Sequence, residues 1–467
     1  MSVIKGHGSG EVSTGFYPYN IDQSLKFNDA DSPYLKRTPS SQGSLTTFTY
    51  SFWYKRCVFG TYQEVLHVYP GSGERSQILF MNNDTLKVEL EAGNTNHFLT
   101  NMLFRDTSAW YHVVVTFDST NGTQANRVKI YVNGVDQSGT GGGGFSTANY
   151  PSQNATSGFN TTSQHEISTY DGSDYHLDGY LAEVNFIDGT ALTAASFGET
   201  KDGIWVPKDA SGLTFGTNGF YLPFDDSSAI GDDESSNTND WTVANLVASD
   251  VVLDSPTNNF CTINSTRESV VNSGSASFTE GNLKSVDAGT THGNHWKSTF
   301  GMTSGKWYWE VLAITMGGNY GNIGITNDLH RAAVAGTGVF YGNDGKRNPA
   351  AFNSGTTSYG ATYTDGDIIG IAFDADNESV NFYKNNTAQG AVGSVLTASN
   401  GPYFASVGDA QNTTTYAYHA NFGQDSSFAG AKTAQGNADS NGVGDFFYSP
   451  PSGFLALASS NLPEPDI

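Results

Sequence analysis

Glu89-Leu90-Glu91 is the nearest this chain comes to the paired carboxylates of a glycoside hydrolase. A retaining enzyme needs a nucleophile and an acid/base about 5 Å apart. Alternate residues of a strand share a face, so the two glutamates qualify. No third carboxylate follows in step, and the solvent face of an edge strand explains the pair. His165-Glu166 and His292-Gly293-Asn294-His295 offer metal-ligand atoms, yet without further ligands at metal-site spacing they read as exposed loop residues. Gly-x-Ser-x-Gly and His-Glu-x-x-His are absent, and Gly141–Gly144 precedes no helix that would make it a phosphate cradle. The chain is expected not to be an enzyme. A different chemistry is offered by Trp296, Asn319-Tyr320 and Tyr341-Gly342-Asn343-Asp344. An aromatic face beside Asn and Asp acceptors can stack on a sugar ring and bond its hydroxyls; the competing reading makes Trp296 a cap on the core.

The elements that must position these groups read as short strands. A hairpin is written twice: Val113–Asp118 with Val128–Gly134, and Ile368–Asp374 with Val380–Asn386. In each, an apolar strand ends in Phe-Asp and its partner alternates apolar residues before an Asn-led turn. Val113, Val115 and Phe117 share one face, as do Val128, Ile130 and Val132. Trp307 and Trp309 also share a face and cannot both be assumed buried.

Length and composition agree. A chain of 467 residues predicts two or three domains. Gly at 54, 13% aromatic and only 15% charged residues suit strands joined by many tight turns. The expected organisation is an N-terminal arm (1–15), a first sandwich (16–224), an acidic linker ordered around Trp241 (225–258), a second sandwich (259–457) and a Pro-rich tail (458–467). No stretch approaches the ~18 apolar residues of a membrane span, and no apolar h-region follows Met1, which predicts a soluble product without membrane insertion. The net charge, 22 − 46 = −24, disfavours nucleic acid. Cys57 and Cys261 read as two separate thiols.

Ser24–Phe27, Phe48–Tyr54, Trp110–Asp118, Val128–Gly134 and Leu177–Phe186 make the first domain similar to the laminin-G-like, concanavalin-A-type lectin/glucanase superfamily. Gly305–Val311, Gly321–Thr326, Asp365–Gly370, Val380–Asn386, Tyr403–Val407 and Pro451–Leu455 make the second resemble a SPRY domain. Both resemblances imply an all-β fold of two antiparallel, concanavalin-A-like sandwiches. Some laminin-G-like domains hold calcium, which singles out Asp29, Asp31 and Asp178 beside matching strands; ordinary Asx turns explain them equally.

The domain pairing, with Phe16–Tyr19 and the Asn-Leu-Pro-Glu-Pro ending, is similar to structural proteins of tailed marine bacteriophages. That resemblance implies a non-enzymatic virion-surface protein, in a tail fibre or as capsid decoration. Its partners would be host-surface glycans or neighbouring virion proteins, and fibre symmetry implies a homotrimer. The alternatives are a glycan hydrolase with a SPRY-like accessory domain, using Glu89 or Glu91, and an intracellular SPRY-type adaptor.

Overall fold

A computed structural model describes residues 2–5, 16–71, 74–90, 97–139, 141–269, 276–287, 295–327, 338–348, 357–393, 396–409 and 414–462. Among them the chain is all-β, with short 3₁₀ turns and no α-helix. It divides into two compact units, one of Tyr17–Thr257 and one of Asn258–Asp466 with Met1–Phe16.

The first unit is a sandwich of two antiparallel sheets. Sheet I runs Val135–Asp136, Val128–Val132, Trp110–Asp118, Thr47–Arg56, Gly179–Asp188, Ser24–Phe27, Val251–Val252. Sheet II runs Phe145–Ala148, His97–Thr100, Leu86–Glu89, Glu74–Phe80, Gln63–Gly71, His165–Ile167, Tyr34–Arg37, Thr242–Ala244. Tyr50, Phe52 and Val113 of sheet I pack with Leu66, Ile78 and Val88 of sheet II in one core. The second unit repeats the plan. Sheet III centres on His295–Ser304, Tyr403–Asp409, Gly321–Asn327 and Gly338–Gly342, and sheet IV on Lys284–Asp287, Tyr416–Asn421, Lys306–Met316, Ile368–Asp374 and Ser379–Lys384.

The recurrent hairpin has a chemical basis. Asn133 (φ 47°) and Gly134 (φ 79°) form one turn, Asn385 (φ 45°) and Asn386 (φ 65°) the other, with the paired positive φ of hairpin turns. In both, the leading Asn bonds the start of the neighbouring strand twice. Asn133 Oδ1 accepts from His112 N and Asn133 N donates to His112 O, each at 2.8 Å. Asn385 Oδ1 accepts from Ile368 N and Asn385 N donates to Ile368 O, each at 2.9 Å. One residue thus sets register twice over.

Four expectations change. Residues 225–257 are not a linker but part of the first sandwich: Thr242–Ala244 closes the edge of sheet II, Val251–Val252 that of sheet I, and Trp241 sits in the core against Phe220 at 4.9 Å. Two of their acidic residues, Asp233 and Asp254, are buried acceptors. Asp233 takes Tyr221 N at 2.8 Å, and Asp254 pairs with Lys55 at 2.7 Å with both side chains fully buried. The fragment 17–257 is expected to unfold in one cooperative thermal transition and 17–224 to lack one; equal transitions would contradict this boundary. At the chain's end, Ser459–Asn461 packs onto the second unit, with Asn461 Nδ2 on Asp439 at 2.8 Å; residues 463–467 lie outside the described residues. Of the arm, Ser2–Lys5 pairs in parallel with Phe300–Ser304, and residues 6–15 lie outside the described residues. Trp307 and Trp309 are both buried, at 0% and 1% exposure, because the sandwich interior takes that whole face.

Candidate functional site

Folding separates the aromatic residues expected to form a site in the second domain. Trp296 is 2% exposed and packs edge-on to Phe278 within the core. Tyr341 is buried among Tyr359, Tyr363 and Phe382, with its hydroxyl on Ala361 O. Both occupy inward positions of strands, where a ring gains most from leaving water. Asn343 is buried too. Its Nδ2 donates to Gly318 O at 2.5 Å and its Oδ1 accepts from Gly321 N at 3.1 Å, so it ties two turns together. Only Asn319, Tyr320 and part of Asp344 reach the surface, and Asp344 is engaged by Lys346 at 2.9 Å. No stacking platform forms there.

The calcium residues do not assemble either. Asp29 and Asp31 are exposed on a 3₁₀ turn, where Asn28 Nδ2 bonds Asp31 at 2.7 Å, while Asp178 is buried ahead of Gly179. Among the described residues no three His, Cys, Asp or Glu side chains gather to hold a metal ion. Glu91 and His292 lie outside the described residues, and His295 is buried against Phe340 at 4.5 Å.

A polar site does form on the outer face of sheet II. Cross-strand pairing sets Glu166, His67, Gln77 and Glu89 in one row over four adjacent strands. Glu89 and the His165-Glu166 pair were expected on solvent. Instead Glu89 lies on an inner strand at 1% exposure, and His165 and Glu166 form a buried strand at 7% and 5%. Glu89 Oε2 accepts from Gln77 at 2.6 Å, Lys87 at 2.7 Å and Arg75 at 3.3 Å. Glu166 Oε2 lies 3.4 Å from His67 Nδ1, and Gln164 donates to Glu166 Oε1 at 2.8 Å.

Glu64 stands on the same face, beside a bulge in its strand. It is fully buried, and burial pushes its carboxyl well above the ordinary range despite Arg75 and Lys87. Among the described residues neither Glu64 oxygen has a hydrogen-bond partner, and the same holds for His67 Nε2 and Arg75 Nε. Buried polar atoms are nearly always bonded, and four open ones stand together on this face.

Aromatic rings border this row. Tyr62 and Tyr175 lie 5.0 Å apart, Tyr175 and Tyr170 5.6 Å, and Tyr170 and His67 4.5 Å, with Arg75 5.8 Å over Tyr170. Glu64 N donates to Tyr175 O at 2.7 Å, which fixes the loop against the sheet. Tyr175 itself is 41% exposed at φ 61°, an unfavourable conformation for a bulky residue. The loop therefore presents a ring to solvent at the rim of a carboxylate, imidazole and amide row. Such an exposed ring can stack on the C–H side of a sugar. Sequence reasoning missed Tyr62, Tyr170 and Tyr175; the signal was the Tyr170-Asp171-Gly172-Ser173-Asp174-Tyr175 loop, a turn flanked by two tyrosines.

Two stacked antiparallel sheets with a polar outer face define the class, a concanavalin-A-type sandwich, and the second unit repeats the architecture. Residues 29–196 match the family model of the concanavalin A-like lectin/glucanases superfamily, and residues 306–425 match that of the SPRY domain. The chain thus carries a laminin-G-like, concanavalin-A-like domain followed by a SPRY domain. No curated protein matches it. Among solved structures, the SPRY domain of human HERC1 is similar at 16% identity, over 30% of this chain and 87% of that one, with a TM-score of 0.25. A native heptameric SAP-like pentraxin from Limulus polyphemus is similar at 16% identity, over 38% of this chain and 80% of that one, with a TM-score of 0.27.

Proposed function

We propose that this protein is a non-enzymatic binding protein of a bacteriophage virion surface, in a tail fibre or as capsid decoration, whose first sandwich binds host-surface glycan. The observation that carries the glycan reading is the exposed Tyr175 ring beside the Glu166–His67–Gln77–Glu89 row. A neutral sugar would stack on Tyr175 and Tyr62 and exchange hydrogen bonds with Arg75, whose side chain is 28% exposed. The SPRY domain would contact neighbouring virion proteins. The virion setting is supported by the order of the two domains and their short flanks, and the homotrimer by fibre symmetry.

A glycan array probed with the full chain is expected to show a restricted set of binders, unaccompanied by release of reducing ends. Release of reducing ends that is abolished by Glu64→Gln or Glu89→Gln would replace this reading with a hydrolase. For the virion setting, mass spectrometry of purified particles should contain the chain, and a stable monomer absent from particles would overturn it.

A further inference from the structure

A second groove lies on the outer face of sheet IV. Lys284, His419, Leu312 and Ile368 are direct cross-strand neighbours; the first three line the groove floor, and Leu312 and Ile368 are packed beneath Phe428. The opposite faces of these strands supply Leu283, Tyr418, Val311 and Ile369 to the core, so this row points outward. Residues 428–432 form a wall: Phe428 stands edge-on to His419 at 5.6 Å, and Lys432 Nζ donates to Gly366 O at 2.9 Å. The cavity between floor and wall measures about 450 Å³, within the range of small-molecule sites.

The wall is held in a costly shape. Phe428 (φ 52°), Ala429 (φ 54°) and Gly430 (φ 78°) are three successive left-handed residues. Asp425 fixes them by accepting from Ser427 N and Ala429 N, both at 2.7 Å. Such strain persists only where the surroundings over-determine it. The lining is also opposite in sign to the rest of the chain. Lys284 and Lys432 face one carboxylate, Glu280, in a protein of net charge −24. Among the described residues Lys284 has no ion-pair or side-chain hydrogen-bond partner, and Lys432 uses one donor on Gly366. Leu312, Ile314 and Ala431 add an apolar strip between the amines.

We propose that this groove binds an anionic saccharide, the acid group taken by the Lys284 ammonium and the C–H face of the ring lying along Ile314 and Ala431 toward Lys432. The shared chemistry is one acid group on a sugar, supplied by a uronate carboxylate or a sulfate ester. The site is separate from the first-domain face and does not depend on it.

Titration calorimetry of the full chain with trigalacturonic acid, a sulfated carrageenan tetrasaccharide and maltotriose tests this. At least one acidic probe is expected to bind, with affinity falling as salt rises, and maltotriose is not expected to bind this groove. Binding to the first probe alone assigns a carboxylate, to the second alone a sulfate. Lys284→Gln should weaken the acidic probe about tenfold. Ala431→Trp, at an exposed wall position, should abolish binding by filling the groove, while Tyr175→Ala leaves it unchanged. No binding of either acidic probe, or affinity kept within twofold in both Lys284→Gln and Ala431→Trp, would overturn the proposal.

Discussion

Asp254→Ala is expected to lower the unfolding free energy of the first domain by about 3–5 kcal/mol, the usual cost of stranding one member of a buried ion pair. Lys55 and Asp254 are both fully buried and 2.7 Å apart. Asp254 Oδ1 also accepts from Trp110 Nε1 at 3.2 Å, and its backbone oxygen accepts from Ser24 Oγ at 2.5 Å. One residue of the acidic segment therefore ties that segment to three strands of sheet I. Removing the carboxylate leaves an ammonium in the interior with water excluded. Replacing both partners, Lys55→Met with Asp254→Leu, should recover most of the loss, because no lone charge remains. Urea unfolding measures both. A loss under about 1 kcal/mol would mean that 225–257 is not integral to the sandwich.

The second large effect is a fall in stability as pH rises. Glu183 is buried at φ 51° in a bulge of the Gly179–Asp188 strand. Tyr221 Oη lies 2.9 Å from each of its oxygens, and Tyr19 Oη 3.4 Å from one. Burial raises its carboxyl to about 8, with the tyrosine hydrogen bonds opposing and Asp209 and Asp225 adding to the rise. The folded state therefore holds a proton that the unfolded chain releases near 4.5. Its contribution is fully present below pH 4.5 and is lost as pH climbs to 8, on the order of 4 kcal/mol. Glu310 of the second domain, raised by burial to about 7, moves the same way. Asp84 and Asp374 move oppositely, held low by hydrogen bonds and a neighbouring cation that outweigh their burial, so stability also falls below about pH 4. Urea midpoints should peak near pH 5 and drop by pH 8. Glu183→Gln should flatten that slope in the first domain; a midpoint that holds or rises from pH 5 to 8 would contradict the account.

The fold was legible where one residue type has one structural use. Alternating Val113, Val115 and Phe117 can face only one core, and Asn133 and Asn385 suit positive φ better than most residues. It was illegible where one type has two uses. Asp233 and Asp254 look like solvated linker residues until the strands that accept them are known, and Trp296 looks like a platform until its strand is placed in a sheet. The candidate site was hidden for a further reason. His67, Glu89 and Glu166 meet only through strand register, which local spacing does not encode, and Tyr62 and Tyr175 meet through a loop folded back on the sheet.

The most direct test is the affinity of an array-selected neutral glycan for the wild-type chain and for Tyr175→Ala. Loss of one stacking ring should weaken binding by about tenfold or more, roughly 1–2 kcal/mol, with the melting temperature little changed because Tyr175 lies on a surface loop at 41% exposure. Equal affinity of the two proteins would show that the outer face of sheet II is not where the glycan binds.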